Sequence, residues 1–458
     1  MRFEDRVLAA TGERFTKVAM VISRVLKEAG PAVRDTEIVA CIEHLVRTNQ
    51  LESAGNIHEY RKAEIRRLPP QPGATDMTAS SSTNSEFHTP CFVLDVARLR
   101  KNLETAKRVR EEAGCKVLLA TKAFAMPTVF PVMRDYLDGT TASGEHEAIM
   151  GKESFGKEVH VYSPAYTEET VRRLTKIAQH IYFNSAAQLA RYGDIARDAG
   201  CHVGLRVNPG YSNATLGGDL YNPTAPMSRF GEVASKLDAV NWSGVDIFHV
   251  HALCESLHEG SIGLIQHVAD NFGKYIEQVS AVNFGGGHFL NKPGYDVSAL
   301  IEAIKAFKAR FGVDVILEPG GGLVVNTGEL HAQVLDLHWN EMDLAILDAS
   351  ASTHMPDVLE VPYRPDVVGA GAAHEKPFTY RFGGNTCMTG DVIGDYSFDE
   401  PLKAGDHIIF TDQMHYSFVK TNTFNGTPLA NLAIRWEDDR LEQISDFGYE
   451  EFRRRLGR

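Results

Sequence analysis

A lysine stands where an apolar stretch of the sequence ends. In LLATKAFA (118–125) two leucines and an alanine lead into Thr121 and Lys122, and small apolar residues follow. Apolar surroundings disfavour a charged ammonium, so we expect the amine of Lys122 to be nucleophilic and suited to forming a Schiff base with an aldehyde. A single lysine at a strand end is usually solvated, and this interpretation therefore needs support from other residues.

Glycines, a glutamate and two histidines supply that support. Gly285–Gly287 in FGGG would let backbone N–H groups approach a phosphate closely. Glu318 in VILEP could keep a pyridine nitrogen protonated, and an imidazole from His249 or His251 could stack on the ring. An aldehyde combined with a phosphate points to pyridoxal 5'-phosphate as the cofactor. No metal site is predicted.

Eight short apolar runs alternate with amphipathic helical stretches and predict the elements that must position these residues. Eight strands with intervening helices favour an α/β fold with a (β/α)8 barrel. An open doubly wound sheet is the alternative, but the GxGxxG that often follows its first strand is missing. The predicted strands are KVLLAT (116–121), GTTAS (139–143), EVHVYS (158–163), HIYFNS (180–185), HVGLRVN (202–208), VDIFHVHA (245–252), AVNFGGG (281–287) and VDVILEP (313–319).

The polar residues of interest collect at one end of these strands. Barrel enzymes carry their chemistry at the carboxyl ends of the strands, and a chance distribution would not favour that end. The residues that fall there are Lys122, Ser143, Glu145, Glu147, Asn184, Arg206, Asn208, His249, His251, Gly285, Gly286, Gly287 and Glu318.

The rest of the chain divides by composition. Residues 87–322 form the predicted barrel, and residues 323–458 alternate like an antiparallel β domain, which residues 88–97 are expected to join. The Pro-, Ser- and Thr-rich segment 69–86 is predicted to be a flexible linker. Residues 1–68 suggest a small winged-helix-like module, with helices at 15–30 and 36–50 and a wing made of LESAG and AEIRRL.

Composition narrows the functional class. A net charge of −13 argues against nucleic-acid binding, and the near-neutral residues 1–68 lack a basic stripe. No apolar run reaches membrane-spanning length, and six scattered cysteines without a CxxC pair predict reduced thiols in the cytoplasm. A metabolite-sensing regulator that uses the N-terminal module is the alternative from a different class.

From about residue 88 onward, the sequence resembles the fold-type III pyridoxal-phosphate decarboxylases, the group of ornithine and diaminopimelate decarboxylases. Within this group it is most similar to the decarboxylases of carboxynorspermidine and carboxyspermidine. The supporting stretches include LLATKAFA, YSPAY, LRVNPG, HALCE, NFGGGH, LEPGGG, GGNTCMTGDVIGDY and HYSFVKTNTFNG.

The resemblance implies the cofactor contacts. Lys122 would hold the cofactor covalently, Glu318 would pair with the pyridine nitrogen, and His249 would stack on the ring by alignment of FHV, with His251 as the rival. The remaining cofactor contacts would be Ser143, Arg206, Gly285, Gly286, Gly287, Gly320 and Tyr416. Gly321 and Ala252 depart from the family pattern of phosphate ligands, in which an arginine follows EPG and a serine follows FHVG.

The resemblance also implies a substrate site shared between two subunits of a homodimer. Cys387 and Asp391 would reach into the neighbouring barrel, where Cys387 returns a proton after CO2 leaves and Asp391 contacts a substrate amine. Arg229 and Glu255 would complete the substrate contacts. The expected reaction is decarboxylation of a carboxylated polyamine to norspermidine or spermidine, and diaminopimelate or ornithine decarboxylation is the alternative. Racemisation would need an opposing tyrosine base, which the sequence does not identify.

Overall fold

The computed structural model describes residues 87–213 and 222–457, and in the first 86 residues it describes segments 16–29, 51–54 and 64–67 and positions 7, 10, 11, 38, 39, 41, 42 and 45. The chain divides into two compact units, Met1–Asn84 and Ser85–Arg458. No helix among the described residues is long and apolar enough to cross a membrane. The predicted linker at 69–86 lies outside the described residues.

The first unit contains a helix and a small sheet. Helix Val18–Ala29 falls within the predicted helix at 15–30. Strand Glu64–Arg67 pairs antiparallel with both Leu51–Ala54 and Thr16–Lys17, so the two strands of the predicted wing are confirmed. The predicted second helix at 36–50 is described only at a few helical positions, which include the buried Ile38 and Ile42.

All eight predicted barrel strands are confirmed. They run parallel to one another, and the sheet closes because β4 pairs with both β3 and β5, which excludes the open doubly wound sheet. A short strand, Glu232–Val233, adds to β5 outside the ring. The barrel strands are β1 (Lys116–Ala120), β2 (Gly139–Ala142), β3 (Glu158–Tyr162), β4 (His180–Phe183), β5 (His202–Asn208), β6 (Ile247–His249), β7 (Ala281–Asn283) and β8 (Asp314–Leu317).

Helices surround the barrel and have clear start and stop signals. The side chain of Asp95 caps the helix Val96–Ala113, which ends at Gly114 with φ +59°, and Asp296 and Gly312 play the same parts for Val297–Phe311. The other helices are Pro127–Val129, Phe130–Arg134, Glu145–Met150 with its continuation Gly151–Phe155, Glu168–Leu174, Ala186–Asp198, Ala234–Ala239, His258–Asn271 and Gly273–Ile276.

An apolar layer fills the middle of the barrel. It contains Leu118, Tyr182, Ile247, Ala281 and Ile316, all of which are buried. Such a packed interior leaves the carboxyl ends of the strands as the place for a site.

The C-terminal sheet packs with the barrel in the second unit and consists mainly of antiparallel pairs. Cys91–Asp95 lies between Gly328–Asn340 and Asn431–Arg435 and is parallel to the latter. The antiparallel β domain predicted from the alternating pattern is thus confirmed. The remaining strands are Met342–Leu347, Phe378–Gly383, Val392–Phe398, His407–Thr411 and Leu441–Ser445, and the short helices are Gly321–Val324, Ala351–His354, Asp357–Glu360, Ser417–Lys420, Phe424–Gly426 and Tyr449–Arg455.

Candidate active site

A cavity of about 940 Å³ opens at the carboxyl ends of the barrel strands. Segments of the C-terminal domain, chiefly 357–366 and 411–417, form part of its wall. Most of the predicted site residues line this cavity, namely Lys122, Ser143, Arg206, Arg229, His251, Glu255, Gly286, Gly287, Glu318, Gly320 and Tyr416.

Lys122 lies in the turn directly after β1. The Thr121 hydroxyl donates a 2.7 Å hydrogen bond to Oε2 of Glu147, which also accepts the backbone N–H of Ser143, so the turn is tied to the segment after β2. Burial lowers the pKa of the Lys122 amine, and the nearby Arg206 guanidinium lowers it further. The neutral, nucleophilic form of Lys122 is thereby favoured.

The glycine turn after β7 brings three backbone segments close together. Gly285 and Gly287 have φ values of +65° and +90°, which glycine adopts most readily. A Cβ atom on Gly287 would lie 2.3 Å from the carbonyl oxygen of Leu253, and one on Gly286 would lie 2.7 Å from that of Glu318. Only glycine therefore leaves this floor of the cavity open to an anionic group.

Glu318 follows β8 and is almost fully buried. Its Oε1 accepts a 2.8 Å hydrogen bond from Nδ2 of Asn283, and its Oε2 lies 3.8 Å from Nε2 of His249. Oδ1 of Asn283 accepts the backbone N–H of Gly285 at 2.8 Å. Asn283 therefore links the carboxylate to the glycine turn. Asn283 was not among the residues predicted from the sequence, although an amide two residues before a glycine run is a usable signal.

The two candidate histidines occupy different places. The ring of His251 lines the cavity, and its Nδ1 lies 3.3 Å from the backbone N of Gly286. His249 is fully buried beneath, with its ring 4.8 Å from that of Tyr182, and neither ring nitrogen has a hydrogen-bond partner among the described residues. Burial holds the pKa of both imidazoles well below the ordinary value, so both rings are neutral.

Arg206 is a buried cation at the end of β5. Its guanidinium lies 4.5 Å from the ring centroids of Tyr162 and Phe230 and donates a 3.0 Å hydrogen bond to the carbonyl oxygen of His251. Burial lowers its pKa from the usual value. These contacts fix a positive charge beside Lys122 and Glu318.

Tyr416 connects the C-terminal domain to the lysine turn. Its backbone has a φ of +51°, unusual for a tyrosine, and its N–H donates to the carbonyl oxygen of Ala123 at 2.9 Å. Burial raises the pKa of its phenol, which is neutral and can donate a hydrogen bond to an anion in the cavity. At the two departures from the family pattern, Ala252 is buried and Gly321 lines the cavity.

The predicted substrate contacts are only partly assembled within one chain. Arg229 and Glu255 are exposed residues on the cavity wall. Cys387 and Asp391 do not line the cavity. Cys387 is exposed in the loop before strand Val392–Phe398. Asp391 is only 4% exposed and accepts hydrogen bonds from the hydroxyls of Ser350 at 2.8 Å and Thr386 at 2.5 Å, so its carboxylate holds the loop that presents Cys387.

The cavity has the donor set that pyridoxal phosphate requires. An amine of lowered pKa (Lys122), a buried carboxylate (Glu318) and a glycine floor (Gly286 and Gly287) border one space, with an imidazole (His251) on its wall. The amine can form an imine with the aldehyde, and the carboxylate can pair with the ring nitrogen. The residues present therefore fit this cofactor.

Comparison with known proteins supports the same cofactor and reaction. The sequence model of the family described as "Pyridoxal-dependent decarboxylase, C-terminal sheet domain" matches residues 34–413. A carboxynorspermidine/carboxyspermidine decarboxylase from Campylobacter jejuni is 40% identical over 80% of this chain and 98% of its own length. A carboxyaminopropylagmatine decarboxylase from Synechocystis is 42% identical over 81% of this chain and 96% of its own.

A solved structure is similar over the same region. The crystal structure of the C. jejuni carboxynorspermidine decarboxylase in complex with norspermidine has a TM-score of 0.75 and 39% sequence identity, and it covers 81% of this chain and 100% of the solved chain. The matched region corresponds in size to the second unit.

Proposed function

The chain belongs to the pyridoxal-dependent decarboxylases with a C-terminal sheet domain, and on this premise we propose that it decarboxylates carboxynorspermidine, carboxyspermidine or both to norspermidine and spermidine. The observation that carries the proposal is a single cavity lined by Lys122, Glu318 and the glycine turn, together with several carboxylates. The names of the C. jejuni relatives, whose solved structure holds norspermidine, support the choice of substrate.

The cofactor would be held at both ends. Pyridoxal phosphate, when bound, supplies an aldehyde for the substrate amine and a ring that takes up the electrons of the Cα–carboxylate bond. Lys122 would hold the aldehyde carbon, Glu318 the ring nitrogen, and the glycine turn with Tyr416 the phosphate. Arg206 would stabilise the carboxylate of Glu318 from nearby.

Carboxylates on the cavity wall suit a substrate with a cationic tail. Glu255, Asp357, Glu360, Asp366 and Asp412 all line the cavity. Ammonium groups of a polyamine would be attracted to this wall, because carboxylates are their natural partners. Lys420 donates to Asp357 at 2.5 Å and also contacts Glu360, so the charge of these two carboxylates is partly neutralised.

Proton return would come from a second copy of the chain. We propose a homodimer in which Cys387 of the partner subunit protonates the carbon from which CO2 has left. The exposure of Cys387 supports this role, as does the anchoring of its loop by Asp391. The protein would act in the cytoplasm, where Cys91, Cys115, Cys201, Cys254 and Cys387 would remain the free thiols that they are here.

Carboxyaminopropylagmatine is a second candidate substrate. The Synechocystis relative that bears this name is 42% identical to the chain. The guanidinium tail of carboxyaminopropylagmatine is also cationic, so the same carboxylates on the cavity wall could bind it.

Product analysis tests the substrate assignment. The purified protein, loaded with pyridoxal phosphate, is incubated separately with carboxynorspermidine, carboxyspermidine, carboxyaminopropylagmatine, ornithine and diaminopimelate, with Lys122→Ala as the inactive control. We expect norspermidine or spermidine to be formed with the highest kcat/KM. Preferred turnover of ornithine or diaminopimelate would refute the assignment, and preferred turnover of carboxyaminopropylagmatine would establish the second candidate.

A further inference from the structure

A continuous chain of hydrogen bonds runs through the interior of the barrel from its base to Glu318. At the base, Nζ of Lys116 lies 2.7 and 2.8 Å from the two carboxylate oxygens of Glu158. Oε2 of Glu158 lies 3.2 Å from Nε2 of His160, and Nδ1 of His160 lies 2.7 Å from the hydroxyl of Tyr182. Nδ2 of Asn283 lies 3.1 Å from that hydroxyl and 2.8 Å from Oε1 of Glu318.

The contact of Asn283 with Gly285, near the Glu318 end, determines the direction of every hydrogen bond in this chain. The backbone N–H of Gly285 can only donate, so the atom of Asn283 that it contacts is the oxygen, and Nδ2 of Asn283 must face Tyr182 and Glu318. Because Tyr182 accepts from Asn283, its own proton goes to Nδ1 of His160. His160 therefore carries its proton on Nε2 and donates it to Glu158.

The charge states at the lower end give the same direction. Hydrogen bonds from His160 and Lys116 lower the pKa of Glu158 to about 2, so this carboxylate is ionised and accepts only. Burial lowers the pKa of His160, which keeps the ring neutral, and burial raises the pKa of the Tyr182 phenol, which keeps its proton. Both ends of the chain thus require the same arrangement of donors and acceptors.

A cluster of three side chains at the Lys116 end of the hydrogen-bond chain could be mistaken for a metal site. Ligand atoms of Glu158, His160 and His180 lie within 4.8 Å of one another. However, the ammonium of Lys116 contacts both oxygens of Glu158, both ring nitrogens of His160 have partners, and the rings of His160 and His180 are stacked at 3.8 Å. Stacked rings do not direct their lone pairs at one point, so the cluster is better explained as the anchor of the chain.

We propose that Lys116, Glu158, His160, Tyr182 and Asn283 form a positioning chain that holds the carboxylate of Glu318 oriented towards the ring nitrogen of the cofactor. The hydrogen bond from Nδ2 of Asn283 holds Oε1 of Glu318, which fixes the rotation of the carboxylate and leaves Oε2 for the cofactor. The proposal rests on the proposed function, since it assumes that Glu318 pairs with pyridoxal phosphate.

Two substitutions that preserve shape test this chain. Tyr182→Phe removes only the hydroxyl, and His160→Phe removes the ring nitrogens but can keep the stacking on His180. We expect each to lower kcat by about tenfold with KM changed by less than about twofold, because Glu318 acts after substrate has bound. Tyr275→Phe is the matched control, since it removes a hydroxyl that donates to Asp238 away from the site.

The double variant separates positioning from stability. Once Tyr182→Phe has cut the chain, His160→Phe should reduce kcat no further, whereas independent structural effects would multiply. Multiplied losses, or single variants with the kcat of Tyr275→Phe, would overturn the proposal.

A measurement on the protein without cofactor makes the test independent of substrate and cofactor. ¹⁵N NMR of the histidine-labelled protein should show His160 as the neutral Nε2–H tautomer. A proton on Nδ1, or a doubly protonated ring at neutral pH, would refute the proposed chain of hydrogen bonds even if no variant could be purified. If instead the wild-type protein decarboxylates none of the tested substrates, the proposed function fails, and the tautomer of His160 still decides whether the chain exists.

Discussion

The imidazole rings of His249 and His251 lie 6.2 Å apart and cross at 72°, and only His251 lines the cavity. The His249 ring is buried between Tyr162 and Tyr182 with no exposed surface. These positions favour His251 as the ring that stacks on the cofactor, although the alignment of FHV favoured His249.

Substitution of each histidine distinguishes the two assignments. We expect His251→Ala to weaken pyridoxal phosphate binding by about threefold to tenfold, because a stacked aromatic contact contributes about 0.5–1.5 kcal/mol. His249→Phe, which keeps a buried ring, should bind the cofactor with nearly wild-type affinity. Titration of the cofactor by absorbance measures both, and the opposite ranking would return the stacking role to His249.

Gly287 should be required for cofactor binding because of its position as well as its backbone angle. Gly287 and Gly294 both have a φ of +90°, but among the described residues a Cβ atom at Gly294 would meet no atom within 4 Å, whereas one at Gly287 would lie 2.3 Å from the Leu253 carbonyl oxygen. Gly294→Ala should cost about 1–2 kcal/mol of unfolding free energy from its backbone angle alone and leave cofactor affinity unchanged. Gly287→Ala should be less stable than Gly294→Ala, and its affinity for the cofactor should be measurably lower.

Denaturant titration and cofactor titration of both variants provide the measurement. Equal cofactor affinity in the two variants would show that the glycine turn does not form the phosphate site.

Mixing two inactive variants tests the shared active site. Lys122→Ala lacks the cofactor lysine, and Cys387→Ala lacks the proposed proton donor. If each site takes Lys122 from one subunit and Cys387 from the other, a mixed dimer has one intact site. Unfolding and refolding an equal mixture should then restore about a quarter of wild-type activity, because half of the dimers are mixed.

Each variant refolded alone is the control. A mixture as inactive as its components would mean that both residues serve one chain, and full activity of Cys387→Ala would remove this cysteine from the reaction.

His288 should make the protein less stable in mild acid. Burial lowers its pKa to about 4 from the ordinary 6.5, so the unfolded chain takes up a proton at a higher pH than the folded protein does. The free energy of unfolding should therefore decrease as the pH falls from 6.5 to about 4, by up to about 3 kcal/mol from this residue. Urea unfolding across this range should show a shallower pH dependence in His288→Gln than in wild type, and parallel curves would contradict the assignment.

The barrel and the general location of the site could be predicted because the responsible signals are local. Parallel strands buried on both faces are continuous apolar runs, and the polar residue that ends each run, such as Lys122 or Glu318, marks the carboxyl end of its strand. The same signal predicted the contribution of Arg206.

Other parts of the site depend on contacts between distant residues. The carboxylate of Asp391 accepts hydrogen bonds from Ser350 and Thr386, and no local pattern in the sequence indicates the bond to Ser350. The contact of Asp391 with a substrate amine stays a prediction. The chain of hydrogen bonds that links Lys116 to Asn283 involves strands β1, β3, β4 and β7. No single stretch of sequence shows that the inward-facing polar residues of these strands meet. The acidic wall contributed by Asp357 and Asp366 was missed for the same reason, since these residues follow a hairpin of the other domain.

The most direct test of the account is to locate the lysine that holds the cofactor. The wild-type protein is loaded with pyridoxal phosphate, reduced with borohydride to fix the imine, digested and mapped by mass spectrometry. The exposed Lys101 lies on the helix Val96–Ala113 and provides an internal control for non-specific labelling. We predict that the pyridoxyl group lies on the peptide containing Lys122 and that Lys122→Ala loses both this label and the visible absorbance of the imine. Stoichiometric labelling of any other lysine, or unchanged absorbance in the variant, would contradict the account.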